Sequence, residues 1–141
     1  MATGADMTAT STRPLSDSTD SLLRFAMRLD ATLTGLGGLV IAAAAGPVSS
    51  VTGLTSMHAY VLGAAFVLYG AVVYLLAARP ALRTVGIGVI VANIVCTLAS
   101  VAVVIAGVFP LTATGVAVML GCAAYTAVFA ELQYLGVRRL A

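Results

Sequence analysis

This chain has no lysine, no tryptophan, one histidine and two cysteines, and only 9% of its 141 residues are charged. Each shortage excludes something. A soluble domain carries about 25% charged residues. With so little charge and 61% hydrophobic residues, this chain cannot clothe a globular surface in polar groups, so its outer surface must face lipid. The basic residues are Arg13, Arg24, Arg28, Arg79, Arg83, Arg138 and Arg139. They lie scattered at the ends of apolar runs and form no basic face, which argues against nucleic acid as a partner. The use of arginine alone, beside abundant Ala, Val and Gly, fits a high-GC bacterial genome. A single histidine, His58, rules out bis-His haem within one chain and leaves no zinc ligand set. Cys96 and Cys122 show no C-x-x-C spacing and sit inside apolar runs, as buried small residues do. There is no P-loop, no Gly-x-Ser-x-Gly, no His-Glu-x-x-His and no pair of carboxylates at mid-membrane depth. Neither a metal nor a cofactor is expected, and the reading leans away from an enzyme.

Four long apolar runs are present instead. A hydrocarbon core about 30 Å thick needs roughly 20 apolar residues per helix. The spans fall at about 30–45, 56–78, 84–107 and 111–136. Gly46-Pro47 stops the first and Arg79-Pro80 the second. Residues 1–20, rich in Ser, Thr, Ala and Asp, have too little apolar surface to fold and read as a disordered cytoplasmic tail. Between 21 and 30, Leu22, Phe25, Ala26 and Leu29 fall at helical spacing. This predicts an amphipathic turn or two continuous with span one, with Asp20 or Ser21 as cap. Span one is not read as a cleaved signal. The polar region at its start is long and carries Asp6, Asp17, Asp20 and Asp30, whereas a signal n-region is short and basic.

The predicted fold is therefore all-α, an antiparallel four-helix transmembrane bundle. Orientation follows from the arginines. The tail, the 79–83 loop and the C-terminus hold all of them, and the 46–55 and 107–111 loops hold no charge. Both termini are expected in the cytoplasm, in a bacterial inner membrane. The short loops predict that sequential helices are antiparallel neighbours. The two outer turns echo each other, Ala45-Gly46-Pro47 with Thr52-Gly53 against Ala106-Gly107 and Pro110 with Thr114-Gly115. Either duplicated hairpins or the general taste of turns for Gly, Pro and Thr explains this.

Helices in lipid associate where small residues let backbones approach. Span three carries Thr84, Gly88, Ala92, Cys96 and Ser100 at four-residue steps. Span one carries Thr34, Gly38, Ala42 and Gly46, and span four Ala113, Ala117 and Gly121. Each ladder marks one helix face. Gly38, Ala42, Gly88, Ala92, Cys96, Ser100 and Gly121 are the expected packing residues.

Few side chains carry chemistry. Glu131 lies seven residues before Arg138, about 10 Å deep at 1.5 Å per residue. An acid inside the membrane is by default a functional candidate. The plainer reading is an ion pair with Arg28, Arg79, Arg83 or Arg138. Asp30 opens span one at a similar level, where an acid suits a helix N-terminus. Arg28, Asp30, Arg79, Arg83, Glu131, Gln133 and Tyr134 make a candidate polar cluster at the inner face. If they converge, they suit a lipid head group, a partner's charge or a proton. Asn93 sits mid-span, suited to a hydrogen bond between helices. Tyr69 and Tyr125 are also deep, and their hydroxyls need partners, with Asn93 or Ser100 in reach. His58 belongs to the interfacial belt that tyrosines also favour.

The stretch from Arg28-Leu29-Asp30-Ala31 through the Gly-Pro turn, together with Arg79-Pro80 and Arg138-Arg139, resembles a group of uncharacterised actinobacterial four-span integral membrane proteins. In overall shape it is similar to small DoxX-like proteins. The resemblance covers roughly residues 25–140. It implies size and span count only, with no active site to carry over. The leading expectation is a non-catalytic accessory or scaffold subunit. Its partners would be the bilayer and either another membrane protein or a second copy as a homodimer. A small dimeric transporter or channel with Glu131 as its proton or cation site is the first alternative. A quinone- or lipid-handling redox partner is the second.

Overall fold

A computed structural model describes residues 19–140. The chain forms five helices: α1 (Ser21–Ala43), α2 (Ala45–Thr52), α3 (Ser56–Leu76), α4 (Leu82–Ala106) and α5 (Ala113–Arg138). No strand occurs among the described residues. Four of the helices, all but α2, are long and apolar enough to cross a membrane. The protein is an all-α, multi-pass membrane protein. Leu36, Leu68, Leu75, Leu98 and Ile105 point outward from three of the long helices, as surfaces that meet hydrocarbon do. The tail assigned to 1–20 lies outside the described residues except for Thr19 and Asp20, which turn into α1.

The helix ends follow from local chemistry. Thr55 caps α3 by accepting from the His58 N–H at 3.2 Å, and His58 Nδ1 accepts in return from the Thr55 N–H at 3.3 Å, a reciprocal cap. This gives the lone histidine a structural task, with its ring edge-on to Phe109 at 5.0 Å. Thr112 caps α5 through the Gly115 N–H at 3.0 Å. Gly53 (φ 82°) and Gly107 (φ 62°) end α2 and α4 in the left-handed conformation that favours glycine.

The segment after Gly46-Pro47, expected as a loop, is helical. The chain breaks at Ala44 and restarts as α2, with Pro47 in its first turn. A first-turn proline costs no hydrogen bond, because its N–H would have no partner there anyway. α2 ties the two outer turns together. The Thr112 N–H donates to the Thr52 carbonyl at 3.0 Å, and the Thr112 hydroxyl donates to the Val51 carbonyl.

Contacts along the long helices show their directions. Gly38 meets Gly63 while Arg24 reaches Ala77, so α1 and α3 run antiparallel. Leu23 meets Gly136 while Thr34 meets Tyr125, so α1 and α5 do too. Gly86 lies near Val137 while Thr97 meets Thr126, so α4 and α5 complete the set. The main seams are α1–α3, α1–α5 and α4–α5, and α3 scarcely touches α4. This corrects the expectation that every sequential pair would be neighbours. A short loop limits how far apart two helix ends can be, but does not make the faces above it complementary.

The α1–α3 seam is built from small residues. A Cβ on Gly38 would lie 2.6 Å from the Gly63 carbonyl oxygen, one on Gly63 would lie 2.7 Å from the Ala42 nitrogen, and one on Gly70 would lie 2.5 Å from the Ala31 carbonyl oxygen. Backbones this close leave no room for a larger side chain. The α4 ladder behaves differently. Gly88 and Cys96 are exposed, Ala92 and Ser100 are half-buried, and a Cβ on Gly88 would meet nothing. Gly121 on α5 is likewise exposed with open space around it. The buried face of α4 is Leu82, Gly86, Val89 and Asn93. At about 100° per residue the centre of that face lies roughly a quarter-turn from the centre of the ladder. A polar Asn93 must be inside, and it decides which way α4 turns.

Candidate functional site

The interior closes around one carboxylate. Asp30 on α1 is fully buried, as is Gln133 on α5, and Asn93 on α4 is 2% exposed. Asp30 lies nine residues after Ser21, about 13–14 Å along the helix axis. Its Oδ2 accepts hydrogen bonds from the Tyr69 hydroxyl on α3, from Asn93 Nδ2 and from Gln133 Nε2, each at 2.9 Å. Its Oδ1 accepts from the Thr34 hydroxyl at 3.1 Å and from the Tyr125 hydroxyl at 3.3 Å. The donors reinforce one another. Asn93 Nδ2 also donates to Gln133 Oε1 at 2.9 Å, and the Thr34 and Tyr125 hydroxyls are 2.9 Å apart. All four long helices contribute a side chain.

A carboxylate only accepts hydrogen bonds, and here five neutral donor groups surround one, with Thr34 and Tyr125 sharing their two hydroxyl protons between Oδ1 and each other. Hydrogen bonds to an ionised acceptor are roughly twice as strong as neutral ones. No arginine among the described residues forms an ion pair with the group. Among the described residues, every buried side-chain nitrogen or oxygen has a partner. One layer further from the arginine-rich end, the hydroxyls of Thr97 and Thr126 meet at 2.6 Å across α4 and α5, and Thr97 also donates to the Asn93 carbonyl at 3.0 Å.

The expected inner-face cluster divides. Of its seven members, Asp30 and Gln133 come together, and they join Asn93, Tyr69 and Tyr125, which had been read as separate deep polar residues. Ser100 has no part in this group, and neither tyrosine relies on it. Arg28 is exposed and lies over the Tyr74 ring at 5.9 Å. Arg79 and Arg83 are exposed at the helix ends. Tyr134 is exposed beneath Arg138, 5.8 Å from its ring centroid. Glu131 faces outward, in a groove of about 290 Å³ between α4 and α5 that is otherwise lined by residues such as Ile90, Ile94, Thr97 and Tyr134. It forms no ion pair among the described residues. The expected pairing with an arginine of its own chain is not made, because α5 turns Gln133 inward and thereby turns Glu131 out.

Arg24 has a role that spacing alone did not suggest. Its guanidinium binds Asp20 Oδ2 at 2.8 Å and donates to the carbonyls of Ala77 at 2.6 Å and Arg79 at 3.3 Å. It therefore closes the C-terminal end of α3, where carbonyls lack helical partners. Asp20 occupies the N-cap position of α1 but makes no side-chain cap bond there. Thr34 and the Thr97–Thr126 pair were also missed as polar participants. Their signal was position: Thr34 lies four residues beyond Asp30, and Thr97 four beyond Asn93. No group of three His, Cys, Asp or Glu residues is placed to hold a metal among the described residues. The chain matches no family model, no curated protein and no solved structure.

Proposed function

We propose that this protein is a non-catalytic accessory or scaffold subunit of the bacterial inner membrane, acting through its lateral surface, with both termini in the cytoplasm. The observation that carries the reading is the closure of the Asp30 hub. Five donor groups lie within hydrogen-bond distance of its two oxygens, and it lines neither the α4–α5 groove nor the hollow beside Pro80 and Leu140. A closed, fully satisfied network fixes the mutual rotation of four helices and offers no berth for a substrate. Beyond the Thr97–Thr126 pair the α1–α3 seam is Gly38, Ala42 and Gly63, which supply no polar side chain to a path. The orientation rests on the arginine bias. Kinship with the uncharacterised actinobacterial four-span proteins is proposed on the same footing, from the Arg28-Leu29-Asp30-Ala31 stretch and the Arg79-Pro80 loop, while the likeness to DoxX-like proteins rests on span count and size alone.

One observation favours a second reading. Asp30 is a buried acid with only neutral groups around it, and acids at membrane depth commonly handle protons or cations. In that reading Asp30, and not Glu131, is the site. Proton flux into liposomes separates the two. The scaffold reading expects no flux above that of empty vesicles from the wild type. Wild-type flux that vanishes in a well-folded Asp30→Asn variant overturns it in favour of proton handling.

A further inference from the structure

We propose that copies of this chain associate laterally, head to tail, with Arg28 of one copy entering the α4–α5 groove of the next to pair with its Glu131. Two exposed charges of opposite sign lie inside the spans, and neither is paired with an opposite charge among the described residues. Glu131 makes no hydrogen bond or ion pair among the described residues, and Arg28 has only the Tyr74 ring. They occupy different outer seams. Arg28 lies where α1 meets α3, and Glu131 lies between α4 and α5. A bare carboxylate turned toward hydrocarbon is costly, and a cation brought to it removes much of that cost.

Depth selects a second copy as the occupant. The bilayer holds neighbouring copies upright and at one level, so only groups of equal depth can meet sideways. Arg28 is seven residues from the start of α1, and Glu131 is seven from the end of α5. The antiparallel contacts Leu23–Gly136 and Thr34–Tyr125 place Arg28 level with Glu131. The other charge on α5, Arg138, lies two turns nearer the end, over Tyr134. A symmetric dimer through the α4–α5 groove alone would bring two carboxylates to one level and repel. Joining the α1–α3 seam of one copy to the α4–α5 groove of another is heterologous, and so builds a ring or a row.

The inference rests on the scaffold reading, and its test is separable from that reading's. Full-length chains carrying donor or acceptor dyes on an N-terminal tag are reconstituted in liposomes, and energy transfer is followed against protein-to-lipid ratio. Wild type is expected to associate beyond dimers. Arg28→Gln and Glu131→Gln are each expected to weaken association by about tenfold or more, the loss of one charge pair. The double swap Arg28→Glu with Glu131→Arg is expected to restore it. Mixing Arg28→Gln chains with Glu131→Gln chains is expected to give mixed dimers and nothing larger, since one intact Arg28–Glu131 contact remains per pair. Both positions are exposed, so helix content and melting temperature should not change. A monomeric wild type overturns the proposal, as does association that neither single variant weakens or a swap that fails to rescue. A binding peptide helix with one central arginine that captures a wild-type chain unable to bind itself would also overturn it, by naming a different occupant. Absence of self-association without proton flux leaves the scaffold reading intact, whereas flux overturns the scaffold reading whether or not the chains associate.

Discussion

Replacing Asp30 tests whether the hub works as architecture. Truncation to alanine removes the acceptor from five donors at once. Thr34 and Tyr125 can still bond to each other, and Asn93 can still donate to Gln133 Oε1. Two donors are then left with no other partner, the Tyr69 hydroxyl and Gln133 Nε2. Each orphaned buried donor costs about 1–3 kcal/mol, so Asp30→Ala should destabilise by about 2–6 kcal/mol. Asp30→Asn has a different outcome. The amide oxygen can take the place of Oδ2 and receive Tyr69, Asn93 and Gln133. The amide nitrogen can take the place of Oδ1 and donate to the Thr34 and Tyr125 hydroxyls, which also accept. Stronger charge-assisted bonds are lost, but so is the cost of burying an ion. The net loss should be about 0–2 kcal/mol. The assay is reversible unfolding in mixed detergent micelles, followed by far-UV circular dichroism. The expected order is wild type, then Asn, then Ala. An alanine variant as stable as wild type would refute the account of orphaned donors, and an Asn variant as damaged as Ala would show that the negative charge itself is required.

Three further perturbations follow from the packing. Gly63→Leu, which drives a side chain into Ala42 and the Gly38 carbonyl, should unfold or split the α1–α3 pair, whereas Gly88→Leu should stay within about 0.5 kcal/mol of wild type; thermal melts of both in one detergent decide it. Arg24→Met keeps the apolar stem of the side chain but removes its bonds to Asp20, Ala77 and Arg79. It should cost about 1–3 kcal/mol and speed hydrogen exchange at the end of α3, and unchanged exchange there would show that the α3 terminus does not depend on it. Reporter fusions after Gly53 and at Ala141 should report opposite compartments, and the same compartment for both would break the four-crossing topology.

The apolar runs were readable because crossing a membrane is a one-dimensional requirement: enough apolar residues in a row, with charge at the ends. The hub was only half readable. Depth along the axis grouped Asp30 and Gln133 with Arg28, Arg79, Arg83 and Glu131, because all lie toward the same end. Rotation about the axis separates them, and rotation is set by the neighbouring helices. A helical stripe did contain the answer. Leu23, Met27, Asp30 and Thr34 share one face of α1, as Thr126, Ala130, Gln133 and Val137 share one face of α5, and these stripes place Asp30 and Gln133 inside and Glu131 outside. Small-residue ladders were a weaker guide, and the reason lies in what each ladder faces. On α1, Gly38 and Ala42 meet Gly63, and Gly35 meets Gly70, so small residues on both sides let two backbones close on each other. Across from α4, α5 offers Gln133 and Thr126, which hydrogen-bond to Asn93 and Thr97. Turning the Gly88–Cys96 ladder inward would carry Asn93 toward lipid and leave its amide unsatisfied in hydrocarbon, at a cost of several kcal/mol. Close packing of a one-sided small stripe cannot match that. The polar residue therefore sets the rotation of α4, and Gly88 and Cys96 are left on the outer surface.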